Sequence, residues 1–333
     1  MPGIRKRGEE IRDFILSNIT ENKNIAVLTS KQFDISLPAV YKHIDRLVSD
    51  GQVRKEDGRF VLQSRRYEYT YKNEKNLSED AAWERDIKQH FTGLPENVLK
   101  IWIYGFLEIF NNAIEHSSGK EIRVVIDENR IYTGISISDD GIGIFRKIMT
   151  KFKLPDEKDA LLELAKGKRT TDKKRHSGQG IFFTSKAFDN FFIVSNEIIF
   201  GSAPDNADRI KTDRNNFSTL VYMGMAYNSG KKLKDVFDEF STEIPGDFDK
   251  TSIPIRLTNS SDLVSRSQAR RILSGLELFR EVILDFRDIE YIGQSFADEI
   301  FRVFVNMNPD TSIKAQNTNA EVQNMIYRAI HTK

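Results

Sequence analysis

The segment Phe106-Leu-Glu-Ile-Phe-Asn-Asn-Ala-Ile-Glu-His116 decides the fold of the central part of this chain. Its apolar residues recur at helical spacing, which predicts a buried stripe along one side of a helix. Glu108 and Asn112 are four residues apart, so their side chains stack on one face. A carboxylate and an amide are costly to bury without partners. The segment is therefore either a surface helix with a polar edge, or a site whose amide ligates a hard cation and whose carboxylate positions or deprotonates a water.

The composition excludes several classes of protein. The chain has 333 residues, which suggests two or three domains of about 150 residues each. It has no cysteine, so disulfides and thiolate metal sites are excluded, and its five histidines lack zinc-ligand spacing. No apolar run approaches the roughly 20 residues that cross a bilayer, and the first residues, Met-Pro-Gly-Ile-Arg-Lys-Arg, lack a signal-peptide core. We expect a cytoplasmic protein with no membrane partner, whose net charge of +1 leaves nucleic-acid and protein partners open.

Residues 1–66 are predicted to form a small winged helix-turn-helix head. Three helical segments precede two short strand-like runs, and Asp57-Gly58 between those runs is a strong hairpin signal. Ser36 is predicted to cap the third helix, the one that would recognise duplex DNA. The head has 13 Lys and Arg against 9 Asp and Glu, an excess that suits phosphate contacts. The candidate nucleic-acid-binding residues are Tyr41, Lys42 and Arg46 on this helix and Arg54, Lys55 and Arg59 in the wing.

Winged helices also serve as protein-docking or dimerisation modules. A protein partner or a homodimer therefore remains an alternative to double-stranded DNA for this head.

Residues 67–245 are predicted to bind a nucleotide. A strand-like run leads into Asp139-Asp-Gly-Ile-Gly-Ile144, where glycines would let a flat ring approach the backbone and Asp139 could accept a hydrogen bond from an exocyclic amine. A long basic segment follows, from about residue 145 to 176, and connections of this length are usually functional or disordered. Ser177-Gly-Gln-Gly-Ile181 then opens a helix whose free N–H groups suit an anion. Together these features predict a flexible lid over a polyphosphate, whereas the basic run alone is typical of a solvated loop.

The order of these motifs resembles the ATPase module shared by gyrase, heat-shock chaperones, histidine kinases and mismatch-repair proteins, the GHKL superfamily. The resemblance covers about residues 78–228 and rests on Glu108-x-x-x-Asn112-Ala113, Asp139-x-Gly141-x-Gly143 and Gly178-x-Gly180-Ile181. It implies an α/β sandwich with helices on one face of a mixed sheet. It also implies ATP and one Mg²⁺ bound under a mobile lid.

The resemblance also implies roles for individual residues. Asn112 would ligate the magnesium, Asp139 would read the adenine amine, and Glu108 would be the general base or orient the water. The other implied nucleotide contacts and pocket glycines are Gly141, Gly143, Ser177, Gly178, Gln179, Gly180, Ile181 and Thr219. Thr219 follows a serine where the family has a Gly-Thr pair.

The run Ala113-Ile-Glu-His116 is more similar to the anti-sigma serine kinases than to gyrase. No phospho-acceptor histidine helix precedes the module in the sequence. An ordinary two-component histidine kinase is therefore not expected.

Residues 246–333 are predicted to form a third, small α/β unit because strands alternate with helices. The run from Leu284 to Asp298 resembles the STAS domain of anti-sigma antagonists, in which a partner kinase phosphorylates a serine in an Asp-Ser-Ser turn. Here the turn reads Gly293-Gln-Ser295, so Ser295 is the candidate phospho-acceptor. The alternative is that Ser295 caps a helix beginning at Phe296.

Three functions remain open from the sequence. The first is a transcriptional or signalling regulator gated by ATP and Mg²⁺. The second is a serine/threonine protein kinase of the anti-sigma type, acting on Ser295 or on a partner. The third is a binding switch with little chemistry, whose modules dock proteins.

Overall fold

The computed structural model describes residues 2–19, 24–167, 179–201, 217–244, 247–258 and 263–331. Within these ranges the chain is an α/β protein with a two-stranded, a six-stranded and a three-stranded sheet. No helix within these ranges has the length and apolar character needed to cross a membrane.

The N-terminal head contains three helices and a hairpin. Its elements are α1 (Pro2–Asn18), α2 (Ile25–Phe33), α3 (Leu37–Ser49), β1 (Val53–Glu56) and β2 (Arg59–Leu62). Asp57 and Gly58 both have positive φ, 49° and 78°, the backbone of a tight primed hairpin turn. Ser36 occupies the N-cap of α3, although its side chain makes no cap hydrogen bond. Val48 is 41% exposed and lies outside the buried side of α3.

The central region builds a six-stranded sheet and the helices that cover it. Its strands are β3 (Arg65–Lys72), β4 (Glu121–Glu128), β5 (Tyr132–Asp139), β6 (Asn190–Ser195), β7 (Ile198–Gly201) and β8 (Thr219–Ala226). Its helices are α4 (Glu79–Ala82), α5 (Glu96–His116), α6 (Ile144–Phe152), α7 (Asp159–Lys166), α8 (Gly180–Ala187) and α9 (Leu233–Glu239). α4 continues as a π-helical turn, Trp83–Ile87, and a 3-10 turn, Lys88–Phe91.

The six strands lie in the order β3-β4-β5-β8-β6-β7, and each neighbouring pair is antiparallel. The expected mixed sheet is therefore wrong for the described strands. The reason is the position of β8, which is inserted between β5 and β6 and runs opposite to both. β5 and β6 run parallel to each other, but they are not neighbours.

Helix α5 is the core helix of this region. Its buried side includes Trp102, Phe106 and Phe110, as the apolar spacing predicts. A β-carbon built on Gly105 would overlap the ring of Phe188 and stand 3.2 Å from the sulfur of Met223. Helix α5 therefore lies very close to Phe188, which follows α8, and to strand β8. The polar side of α5 faces away from the core.

The segment predicted as a long basic connection, residues 145–176, is helical in much of its described part. α6 and α7 occupy it up to Lys166, and Gly167 ends α7 with a φ of +82°. Phe145 and Ile148, which have helical spacing, form the buried side of α6. The lid prediction is thus reduced to residues 168–178, which lie outside the described ranges.

The C-terminal unit, residues 247–331 apart from 259–262, contains a parallel three-stranded sheet in the order β11-β10-β9. Its elements are β9 (Lys250–Pro254), α10 (Arg266–Leu273), β10 (Glu281–Asp285), α11 (Gln294–Asp298), β11 (Ser312–Gln316) and α12 (Ala320–His331). α11 continues as the π-helix Glu299–Phe304 and a last turn, Val305–Met307. α10 ends at Leu273, because Gly275 adopts a φ of +83° and a separate 3-10 turn follows. The C-terminal unit and the six-stranded sheet share one continuous apolar core.

Candidate functional site

Glu108 and Asn112 lie on consecutive turns of α5, and both side chains are half-buried. The neighbouring phenol of Tyr104 has a raised pKa, mainly through burial and also through the negative charge of Glu108. The Glu108 carboxylate is thus close enough to the Tyr104 phenol to affect its pKa. The polar side of α5 is in place as predicted, while a metal-binding role for Asn112 stays a prediction.

Asp139 ends strand β5 with a carboxyl group that is only 7% exposed. Its Oδ1 accepts a hydrogen bond from the backbone N–H of Gly141 at 2.9 Å. Burial, aided by the charge of Asp140, raises the pKa of Asp139 to about 6, although the Gly141 N–H, Thr219 and Lys147 act in the opposite direction. A buried carboxyl with a raised pKa is a candidate ligand-binding group.

Thr219 is the residue of β8 that pairs with Asp139 across the sheet. Its hydroxyl also acts to lower the pKa of Asp139, and its Oγ1 accepts the backbone N–H of Ile144 at 3.1 Å. Thr219 thus links β8, the end of β5 and the first residue of α6. The structure brings two predicted residues that are distant in the sequence into direct contact.

Gly141 and Gly143 both lie where another part of the chain comes too close to the backbone for a side chain to fit. A β-carbon on Gly141 would overlap the carbonyl of Ser117, just past the end of α5. Gly143 has a φ of +86°, and its β-carbon would stand 2.8 Å from the hydroxyl of Ser195. A flat ring was predicted beside these glycines, but in this structure serines occupy the space on the side where a β-carbon would project.

Gly180, the first residue of α8, lies against Glu108. A β-carbon at this position would overlap the Glu108 carboxylate. The two predicted residues are therefore in contact at the start of α8. Gln179 and Ile181 flank Gly180 and are half-buried.

Two further predicted residues, Ser177 and Gly178, lie outside the described ranges. Among the described residues, no group of three or more His, Cys, Asp or Glu side chains could hold a metal ion.

Lys147 is a site residue that the sequence argument missed. Its Nζ donates a hydrogen bond to the carbonyl oxygen of His116 at 2.5 Å, at the C-terminal end of α5. Burial lowers its pKa, while the nearby Asp139 acts to raise it. Lys147 does not stand out in the sequence because it belongs to a run of scattered basic residues. Its position on the inner side of an amphipathic α6 was the available signal.

The six residues predicted to contact nucleic acid all lie on the exposed surface of the head. They are Tyr41, Lys42, Arg46, Arg54, Lys55 and Arg59. Two of them pair with acidic neighbours: Arg46 with Asp50 at 3.6 Å and Arg54 with Glu56 at 2.8 Å. Surface pairs of this kind are weak, so these guanidinium groups remain available to a phosphate.

Ser295 is the second residue of α11, and its side chain is exposed. The N-cap of that helix is Gly293, so the alternative in which Ser295 caps a helix beginning at Phe296 is wrong. The helix begins two residues earlier than expected.

Comparison with known proteins supports one of the predicted modules. Residues 268–323 match the family model described as a STAS-like domain of unknown function (DUF4325). The match lies inside the C-terminal unit and agrees with the STAS-like prediction made for it. No curated protein matches the chain.

Proposed function

We propose that this chain is a nucleotide-gated regulator, in which Mg·ATP binds in a GHKL-type module and controls a winged-helix head on duplex DNA. The observation that carries the proposal is the contact between Asp139 and Thr219 beside the 141–143 turn. It joins a strand-end carboxyl, a hydroxyl and a glycine turn next to the end of α5. In the GHKL resemblance, these are the elements that meet the nucleotide base.

The residues present fit Mg·ATP. The Asp139 carboxyl would accept the adenine amine, and the Asn112 amide oxygen is a ligand type that magnesium takes beside phosphates and water. Lys147 adds a positive charge at the end of α5, and the free N–H groups at the start of α8 suit a phosphate. Bound Mg²⁺ would neutralise charge on the phosphates. The helices α5 and α8, which pack against each other and against the antiparallel sheet, support the proposed module.

Glu108 is the residue that would orient or deprotonate an attacking water. In this structure its carboxylate rests against Gly180. Catalysis would therefore require the start of α8 to leave space for water and the terminal phosphate beside Glu108. Nucleotide binding without turnover would leave that contact in place and make the protein a switch.

A serine/threonine kinase is the second candidate function. The observation that favours it is the exposed hydroxyl of Ser295, on a unit that matches a STAS-like family model. The γ-phosphoryl group of ATP would pass to this hydroxyl, or to a serine of a protein partner, with ADP as the leaving group.

Nucleotide binding tests the site. We expect Asn112→Ala to weaken magnesium-dependent binding of ATP in a calorimetric titration, because it removes the proposed metal ligand. Asn111→Ala, the adjacent half-buried amide on α5, is the matched control and should bind as the wild type does. Equal affinities of all three proteins for Mg·ATP would refute the assignment of Asn112.

Turnover and phosphosite mapping separate the two candidate functions. Glu108→Gln should keep ATP binding and lose phosphate release, whereas Glu115→Gln, on the same helix with an exposed side chain, should retain it. Phosphate found on Ser295 of the wild type and absent from Ser295→Ala supports the kinase. Binding without phosphate release or transfer in the wild type supports the switch.

A further inference from the structure

Helix α7 lies between the proposed nucleotide module and the C-terminal unit. It packs against α8 on one side and against β9 on the other. Its last residue, Lys166, has a side chain that is only 1% exposed. Burying an ammonium group costs free energy unless the group is paired and hydrogen-bonded. The partners of Lys166 therefore indicate the role of its charge.

The Lys166 ammonium reaches across to the C-terminal unit. Its Nζ donates to Oε1 of Glu163 at 2.7 Å, to the carbonyl of Ser274 at 2.8 Å and to the carbonyl of Arg271 at 3.2 Å. Arg271 lies in the last turn of α10 and Ser274 is its C-cap residue. The carbonyls at that end carry the negative pole of the helix, which favours a cation. One buried side chain thus ties α7 to the end of α10.

Two contacts made by side chains of the C-terminal unit hold α7 at both of its ends. Arg271 of α10 pairs with Asp159, the first residue of α7, at 3.3 Å. The hydroxyl of Thr251, on β9, donates to the backbone carbonyl of Lys166 at 3.2 Å. A movement of α7 therefore strains or breaks contacts with both α10 and β9.

The first turn of α8 continues the connection towards Glu108. A β-carbon on Gly167 would stand 2.7 Å from the ring of Phe182 and 2.8 Å from that of Phe248. The centroids of these two rings are 4.7 Å apart. Phe182 follows Gly180 by two residues, and Gly180 touches Glu108. The short helix α8 therefore contacts both the proposed nucleotide site, through Gly180, and the C-terminal unit, through Phe182.

We propose that Lys166 is a positioning residue that couples the nucleotide site to the C-terminal unit through α7 and the first turn of α8. The coupling rests on the proposed function, since it takes the nucleotide as one of the two effectors. Coupling between binding equilibria is reciprocal. Nucleotide binding should alter α10 and β9, and loosening α10 and β9 should weaken nucleotide binding.

Hydrogen exchange on the full chain tests the coupling, with the slowly hydrolysed analogue ATPγS and Mg²⁺ as the probe. In the wild type we expect ATPγS to slow exchange near residues 108–116 and also in residues 266–274 of α10. Lys166→Met should lose the change in α10, keep the change near 108–116, and bind the analogue more weakly by roughly 5–150-fold, the usual range of coupling between sites. Lys166→Arg keeps a charge and several donors, so it should restore part of both effects.

Lys88→Met is the matched control. Lys88 forms a Lys–Glu pair with Glu84 at 2.8 Å on a helical turn, but that pair is exposed. We expect its exchange pattern and affinity to equal those of the wild type. If Lys166→Met does not fold, Arg271→Gln replaces it, because this guanidinium is about half exposed and its loss removes the contact with Asp159. A smaller effect in the same direction is expected.

The outcomes distinguish a failure of the coupling from a failure of the proposed function. A folded Lys166→Met, or failing that Arg271→Gln, with wild-type affinity and a wild-type change in α10 overturns the coupling. A wild type that binds ATPγS without any change in α10 also overturns the coupling but leaves the proposed function intact. A wild type that binds no nucleotide overturns the proposed function, and the coupling with it.

Discussion

The first residue of α8, Gly180, lies so close to the carboxylate of Glu108 that a β-carbon could not be added without displacing one of them. The contact joins α8 to the middle of α5, the two helices that the proposed nucleotide would have to separate or bridge. A substitution at Gly180 therefore probes both stability and the site.

We expect Gly180→Ala to lower the free energy of unfolding by about 1–3 kcal/mol, the usual cost of an added methyl group in a packed location. Chemical denaturation measures the change. Gly230→Ala is the control, because a β-carbon there meets nothing within 4 Å, and its effect should stay within about 0.5 kcal/mol. Equal stability of the two variants would show that α8 can shift away from Glu108 freely.

The buried carboxyl of Asp139 should make stability depend on pH. Because its pKa is raised from 3.8 to about 6, the folded state holds this proton more tightly than the unfolded state, and stability falls as the pH rises through that interval. Asp139→Asn removes the effect. Between pH 5 and 7.5 the wild type should lose about 1 kcal/mol of stability relative to this variant.

Denaturant titrations of both proteins at the two pH values measure this difference. Asp310→Asn, in which an exposed carboxyl is replaced, should show the same pH dependence as the wild type. A wild type and Asp139→Asn with parallel pH profiles would contradict the raised pKa.

Lys147 should contribute to both stability and nucleotide affinity. Lys147→Met removes the ammonium that bonds the carbonyl of His116 at the end of α5, a loss expected to cost about 1 kcal/mol. The substitution should also weaken the binding of ATP more than the binding of adenosine, because the charge is proposed to act on phosphates. Lys151→Met, one turn later and exposed, is the comparison. Equal losses of ATP and adenosine affinity would exclude a phosphate contact.

The head should bind duplex DNA with an affinity that depends on salt. Lys42→Ala removes one exposed charge from α3, so it should weaken binding to all sequences alike and reduce the slope of log K against log salt by about 1. Fluorescence anisotropy at several salt concentrations measures both quantities. Lys75→Ala, exposed but outside the head, should change neither, and a wild type with no salt slope would favour a protein-docking role for the head.

Local patterns in the sequence were sufficient for several of the separate elements. The apolar spacing around Phe106 predicted the core helix α5, and Asp57-Gly58 predicted the hairpin turn that the structure shows. The C-terminal run that resembles a STAS domain lies within a segment that a family model also matches. These predictions succeeded because helix periodicity and turn chemistry depend on residues that are close together along the chain.

Tertiary structure alone decided which elements are neighbours. β8 enters the sheet between β5 and β6, and this placement makes the sheet antiparallel and brings Thr219 to Asp139. The helices inside the basic connection, the contact of Gly180 with Glu108 and the burial of Lys166 also depend on packing between distant segments. Strand partners and the partners of a buried charge are chosen by long-range packing, which no local run of residues specifies.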